Sequence, residues 1–97
     1  MTPEFHRLAS VELADAAAFY EASSPGLGHT FVDAMEALVA RVCVHPEIGR
    51  ERVGEIRIVS ARRFPYVLVY EIVGDVIFIL AVAHHRRLPK YWSDRRA

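Results

Sequence analysis

An α+β fold, with a helix hairpin packed on a small antiparallel sheet, is predicted by three features of this sequence. Its first half carries apolar residues at helical spacing. Its second half carries runs of β-branched and aromatic residues, and the dipeptide Gly74-Asp75 separates two of those runs. A chain of 97 residues has room for one small domain, residues 1–97, near the lower limit of what a single hydrophobic core can hold together.

The opening segment, residues 4–8, alternates polar and apolar side chains and reads as a half-buried strand. Ser10 then offers an N-cap, Glu12 sits in the first turn where the helix dipole favours an anion, and Leu13, Ala17 and Tyr20 share one face. These define a helix over about residues 11–22. Its alanines, Ala14 and Ala16 to Ala18, favour helix and let a neighbouring backbone come close. Pro25-Gly26 breaks it. A second helix starts near Leu27 and stops at Pro46, with Leu27, Phe31, Met35 or Ala34, Leu38 and Val42 on one stripe. The short connection makes the two an antiparallel hairpin.

After Gly54 the pattern changes period. Ile56 and Ile58 alternate with Glu55, Arg57 and Val59, which predicts a strand with one wet face from which Arg57 points. A second strand covers residues 62–73, with Pro65 near its start, where a missing donor is tolerated. Residues 76–83 are apolar on both faces, as a central strand is, and the two-residue turn at Gly74-Asp75 joins the pair. The whole reads as strand, helix hairpin and a three-stranded meander over about residues 55–83, with Phe31, Leu38, Val42, Leu68 and Ile79 in the core.

No apolar run approaches the ~20 residues that span a bilayer, and Met1-Thr2-Pro3-Glu4 lacks the pattern of a signal peptide, so a cytoplasmic protein with no membrane partner is expected. The lone Cys43, in an apolar helical stretch, reads as a buried small hydrophobe and excludes a disulfide or a cysteine-rich zinc site. Net charge is zero, but it is polarised along the chain. Residues 1–51 hold three basic and eight acidic residues, a net of −5, and residues 52–97 hold nine basic and four acidic, a net of +5. This points to a cationic working surface built from the second half, facing nucleic acid or an acidic protein segment, or else to a mixed-charge surface whose opposite charges meet in the fold.

The two-residue turn sets a register in which Val73 faces Val76, Val69 faces Leu80, Val67 faces Val82, Pro65 faces His84 and Arg63 faces Arg86, all on one face. Two arginines directly opposite repel by up to ~1 kcal/mol unless an anion lies between them or the strands twist apart into water. A phosphate or a partner's carboxylate would suit the planar guanidinium fork. The apolar residues beside them, Val67, Val69, Leu80 and Val82, form a patch expected to lie under a partner. The tail beyond His84 interleaves Arg86, Arg87 and Lys90 with Tyr91 and Trp92, a mixture suited to single-stranded nucleic acid, although Trp92 also suits an apolar plug at the end of the sheet. Adjacent His84 and His85 point to opposite faces of a regular strand, so no metal site is expected of them. His6, His29 and His45 are isolated.

Glu12-Leu13, Phe19-Tyr20-Glu21, the turn Pro25-Gly26-Leu27-Gly28 with Phe31, then Pro46, Arg63-Phe64-Pro65-Tyr66, Tyr70, Ala81 to His84, Arg87, Pro89 and Trp92 form an ordered set. Together they resemble the RelE/ParE toxin superfamily. The resemblance runs nearly end to end. It implies a β-α-α-β-β-β domain without a cofactor, the growth-inhibiting toxin of a type II toxin-antitoxin pair, silenced by a cognate antitoxin and serving plasmid stabilisation or chromosomal maintenance. ParE-like members act on DNA gyrase, and RelE-like members cut messenger RNA in the ribosome. A neutral chain with a long alanine-rich hairpin favours the first, because a ribosome ligand is usually strongly basic. On the gyrase reading, Arg57, Arg63, Arg86, Arg87, Tyr91 and Trp92 are the candidates for binding target or antitoxin. On the nuclease reading, His84 or Tyr70 transfers protons while Arg63 and Arg87 stabilise charge. A third reading is a non-toxic module kept for its complex with an antitoxin.

Overall fold

A computed structural model describes residues 1–87 and 91–97. Its order is β1 (Thr2–Phe5), α1 (Arg7–Ser23), α2 (Leu27–Val44), β2 (Arg50–Glu51), β3 (Ile56–Ser60), β4 (Tyr66–Val73) and β5 (Val76–His84), followed by single 3-10 turns at His85–Arg87 and Ser93–Arg95. The strands form one five-stranded sheet in the order β1-β5-β4-β3-β2, antiparallel except for the parallel β1–β5 pair. The α+β hairpin-on-sheet fold is therefore present, with the meander widened by β1 on one edge and the two residues of β2 on the other. Of the residues that carry the family resemblance, Pro89 lies outside the described residues, as does Lys90 of the basic tail.

Local chemistry explains where the helices begin and end. The Phe5 strand passes straight into α1: the His6 amide donates to the Ile79 carbonyl at 2.9 Å and the His6 ring nitrogen Nδ1 accepts from the Leu8 amide at 3.0 Å. His6, not Ser10, is thus the N-cap, and Glu12 lies beyond the first turn, freed for another use. At the hairpin, the Glu21 carboxylate accepts from the amides of Gly26 and Gly28, at 2.9 and 3.0 Å. The end of the first helix so caps the start of the second, satisfying two donors that have no partner within α2. A side chain at Gly28 would run into the Ala17 carbonyl. This is the close approach that the small residues of α1 allow.

Both helices cover one face of the sheet. Phe31, Leu38 and Val42 meet Leu68, Tyr70, Ile77, Ile79 and Val82 in the main core, as the helical stripe and the strand alternation require. Cys43 is half-buried at its margin. Leu38→Ala is expected to cost about 2–5 kcal/mol, since it removes a buried leucine from the main core. Chemical denaturation checks this; a loss below about 1 kcal/mol would mean that α2 does not rest on the sheet here.

The strand register departs from the simple hairpin count. Val73 pairs with Val76 and Tyr70 with Ile79, but Val69 then pairs with Ala81, Leu68 with Val82 and Tyr66 with His84. A bulge at Leu80 accommodates one extra residue, so Leu80 and Ala81 both face away from the helices while Val82 turns towards them. The expected pairs Val69–Leu80, Val67–Val82 and Pro65–His84 are therefore displaced. Arg63 and Arg86 do not face each other in a ladder at all, because β4 begins at Tyr66 and β5 ends at His84.

The second face of the sheet is closed by the chain itself. Trp92 is 3% exposed and packs on Ile58, Val67, Val69, Leu80 and Ala83. The apolar patch expected under a partner is thus covered internally, and Val82 belongs to the opposite core. Ile56 and Ile58 also point to this covered face, and Arg57 to the helix side, where the connection between α2 and β2 shelters it.

Candidate functional site

Beyond the last ladder pair, Tyr66–His84, lie four of the chain's arginines. Arg62 and Arg63 lie in the β3–β4 connection, and Arg86 and Arg87 in the 3-10 turn after β5; all four are exposed. None forms an ion pair among the described residues. The turn places His84 and His85 with their rings stacked, centroids 4.8 Å apart and planes 21° from parallel. Opposite faces were expected of a regular strand, and the strand ends between them. Among the described residues no group of three His, Cys, Asp or Glu side chains is placed to hold a metal ion.

Hydrogen bonds assign the imidazoles different states. His84 Nδ1 accepts from the Arg86 amide at 3.2 Å, so in the neutral ring the proton sits on Nε2. His85 Nδ1 lies 3.1 Å from the Pro65 carbonyl, which can only accept, so that nitrogen carries the proton and Nε2 keeps its lone pair. The histidine with a free basic nitrogen is thus His85, which sequence reasoning did not select. Its location beside Pro65 depends on the β4–β5 register, and no local motif announces it.

Two shallow grooves flank the Tyr66–His84 pair, whose rings meet edge to face at 5.3 Å. One, about 390 Å³, is lined by Arg62, Arg63, Pro65 and His85. The other, about 350 Å³, lies between α1 and β5 and is lined by Glu12, Asp15, Phe19, His84 and Arg87. Phe19 is 66% exposed, an aromatic presented to solvent beside this charge. Burial, and then the neighbouring Tyr20, raise the pKa of the Tyr66 hydroxyl, which holds its proton at neutral pH.

The tail is locked beneath the basic end. Glu12 Oε1 accepts from the Val82 amide at 3.0 Å, and Arg95 pairs with Glu12 at 3.0 Å while donating to the Leu80 carbonyl at 3.0 Å. These side chains serve backbone groups of β5 past Ile79, where β1 has ended. Arg96 and the Ala97 amide bind the Glu71 carboxylate at 3.0 to 3.2 Å. Tyr91 receives the guanidinium groups of Arg87 and Arg95 on its ring, at 4.5 and 5.0 Å from the centroid. Burial, and next the Glu12 charge, push its hydroxyl pKa up to about 12. Trp92 is the apolar plug described above, so a base-stacking role does not suit it.

Two candidates are engaged in contacts that hold the fold. Tyr70 is fully buried; its hydroxyl donates to the Pro46 carbonyl at 2.6 Å and accepts from the Gly49 amide at 3.0 Å. A side chain at Gly49 would collide with that hydroxyl. Arg57 donates to the Gly49 and Glu47 carbonyls, at 2.8 and 3.5 Å, and belongs to the same clamp on the α2–β2 connection. Tyr70→Phe is expected to destabilise the fold by about 1–3 kcal/mol, through the donor and acceptor it strands, while the folded fraction keeps any growth-inhibiting activity. Loss of activity at unchanged stability would restore Tyr70 as a functional group.

Residues 4–89 match the profile of the ParE toxin of type II toxin-antitoxin system, parDE. Among solved structures the chain is similar to one from a chromosomal ParDE TA system of P. aeruginosa, with a TM-score of 0.61 and 22% identity over 87% of this chain and 95% of that one. At that identity the structural likeness is one of fold. No curated protein sequence matches the chain.

Proposed function

Because the chain belongs to the ParE toxin family of type II toxin-antitoxin systems, we propose that it arrests growth by binding DNA gyrase through the basic end of its sheet. A cognate antitoxin neutralises it by covering that end with carboxylates. The observation that carries this reading is the set of four exposed arginines, Arg62, Arg63, Arg86 and Arg87, none ion-paired among the described residues. Unpaired guanidinium groups steer and bind an acidic protein surface without any chemical step. The groups around them favour binding over catalysis: Tyr70 is sealed in the core and His84 uses its basic nitrogen on the Arg86 amide. No helix among the described residues is long and apolar enough to cross a membrane.

The experiment induces the chain without antitoxin and follows plasmid supercoiling and messenger RNA integrity in one culture. Supercoiling is expected to fall while transcripts stay intact. Cut transcripts with normal supercoiling would place the activity on the ribosome, with His85 as the base to test. Growth unaffected by the folded chain would mark it as an antitoxin-binding module.

A further inference from the structure

A second cationic feature lies off the end of the sheet, where α2 passes the β3–β4 connection. Leu38 and Arg41 of α2 form one wall of a cleft of about 140 Å³, and Ser60, Arg62 and Arg63 form the other. The same Ser60, Arg62 and Arg63 also line the 390 Å³ groove, together with Pro65 and His85. No carboxylate lines either hollow. The acids of α2 are turned elsewhere: Asp33 lies 3.5 Å from His29, and Glu36 lines a different groove with Phe5 and Leu13. Among the described residues, no side-chain hydrogen bond or ion pair engages Arg41, Arg62 or Arg63. Three guanidinium groups with no counter-charge repel one another, and a multiply charged anion between them relieves this.

We propose that this double hollow binds a nucleoside phosphate, with the phosphate between Arg41, Arg62 and Arg63 and the base on the Pro65–His85 floor. Arg offers forked donors matched to phosphate oxygens, and the Ser60 hydroxyl adds a further donor. The stacked His84–His85 pair extends naturally by one more flat ring. A carboxylate-bearing peptide would satisfy the arginines but leave the flat floor unused. The site shares Arg62 and Arg63 with the surface proposed for gyrase, and Arg41, outside that surface, tells the two apart.

The test is calorimetric titration of the purified chain with ATP, a short single-stranded RNA, inorganic phosphate and a polyglutamate peptide. Saturable binding of ATP or RNA is expected, weakened about tenfold by Arg41→Ala and again by Arg62→Ala, the loss of one charge-assisted contact each. Circular dichroism should show both variants folded, because the side chains are exposed. Comparable affinity for ATP and RNA identifies a free nucleotide as the ligand, and much tighter RNA identifies a strand. The proposal is overturned by the absence of ATP and RNA binding up to about millimolar. It is equally overturned by phosphate or polyglutamate binding as tightly as ATP and RNA, or by a folded Arg41→Ala that binds like the parent.

Discussion

Arg63→Ala combined with Arg87→Ala is expected to abolish growth arrest on induction without antitoxin while leaving the chain soluble and folded. The two arginines lie on separate segments that end side by side, the β3–β4 connection and the turn after β5. Both side chains are exposed, Arg87 with its guanidinium resting against the Tyr91 ring, so each can meet a carboxylate of an acidic protein surface. A charge-assisted hydrogen bond contributes about 1.5–3 kcal/mol, so the pair together should lower target affinity by about a hundredfold or more. The cost to folding is small by comparison. Exposed Arg63 makes no ion pair among the described residues, and Arg87 gives up a cation–π contact with Tyr91, about 0.5–1 kcal/mol at an exposed site. Growth curves and circular dichroism on the same variants check both halves. Full toxicity from the folded double variant would remove the basic end of the sheet from the mechanism.

The largest expected effect on stability belongs to Arg95→Ala. Arg95 is 9% exposed, its partner Glu12 is 13% exposed, and the pair joins the tail to α1 and to the edge of β5. Removing the arginine leaves a sheltered carboxylate without its cation and the Leu80 carbonyl without its donor. Breaking one side of such a pair costs about 3–5 kcal/mol, a large share of the 5–15 kcal/mol that holds a typical domain together. It also loosens the Trp92 plug. Urea denaturation should show the loss, together with greater exposure of tryptophan in the fluorescence spectrum. Replacing both partners, Glu12→Leu with Arg95→Met, should cost less than Arg95→Ala alone, because no charge is then stranded. An Arg95→Ala variant as stable as the parent would mean that Trp92 and the contacts to Glu71 hold the tail without it.

Local pattern was enough to read the order of the main elements (without the two-residue β2), the helix hairpin and the core positions Phe31, Leu38, Val42, Leu68 and Ile79, because each depends on periodicities of 3.6 or 2 that neighbouring residues display. What could not be read lay in contacts between residues distant in sequence. The Leu80 bulge inserts one residue midway along β5, so a count from the Gly74-Asp75 turn goes astray from Val69 onward. Glu12 looks like a helix-dipole acid until Val82 and Arg95 are seen beside it, 70 and 83 positions away. Tyr70 looks chemically available because its strand alternation says nothing about Pro46 and Gly49 closing on the hydroxyl. The cationic end was legible as charge, since Arg63, Arg86 and Arg87 stand out in the sequence. Its composition was not, because Arg62 and His85 join it only through the way the strands stop.

The central claim, that this toxin-family chain acts by binding gyrase and without nuclease chemistry, is tested most directly by titrating the purified chain into a supercoiling reaction with purified DNA gyrase. Inhibition that grows with toxin concentration, and that the Arg63→Ala, Arg87→Ala double variant has lost, is the predicted result. Unimpaired supercoiling at toxin in large excess, alongside cleavage of messenger RNA on ribosomes by the same preparation, would contradict it.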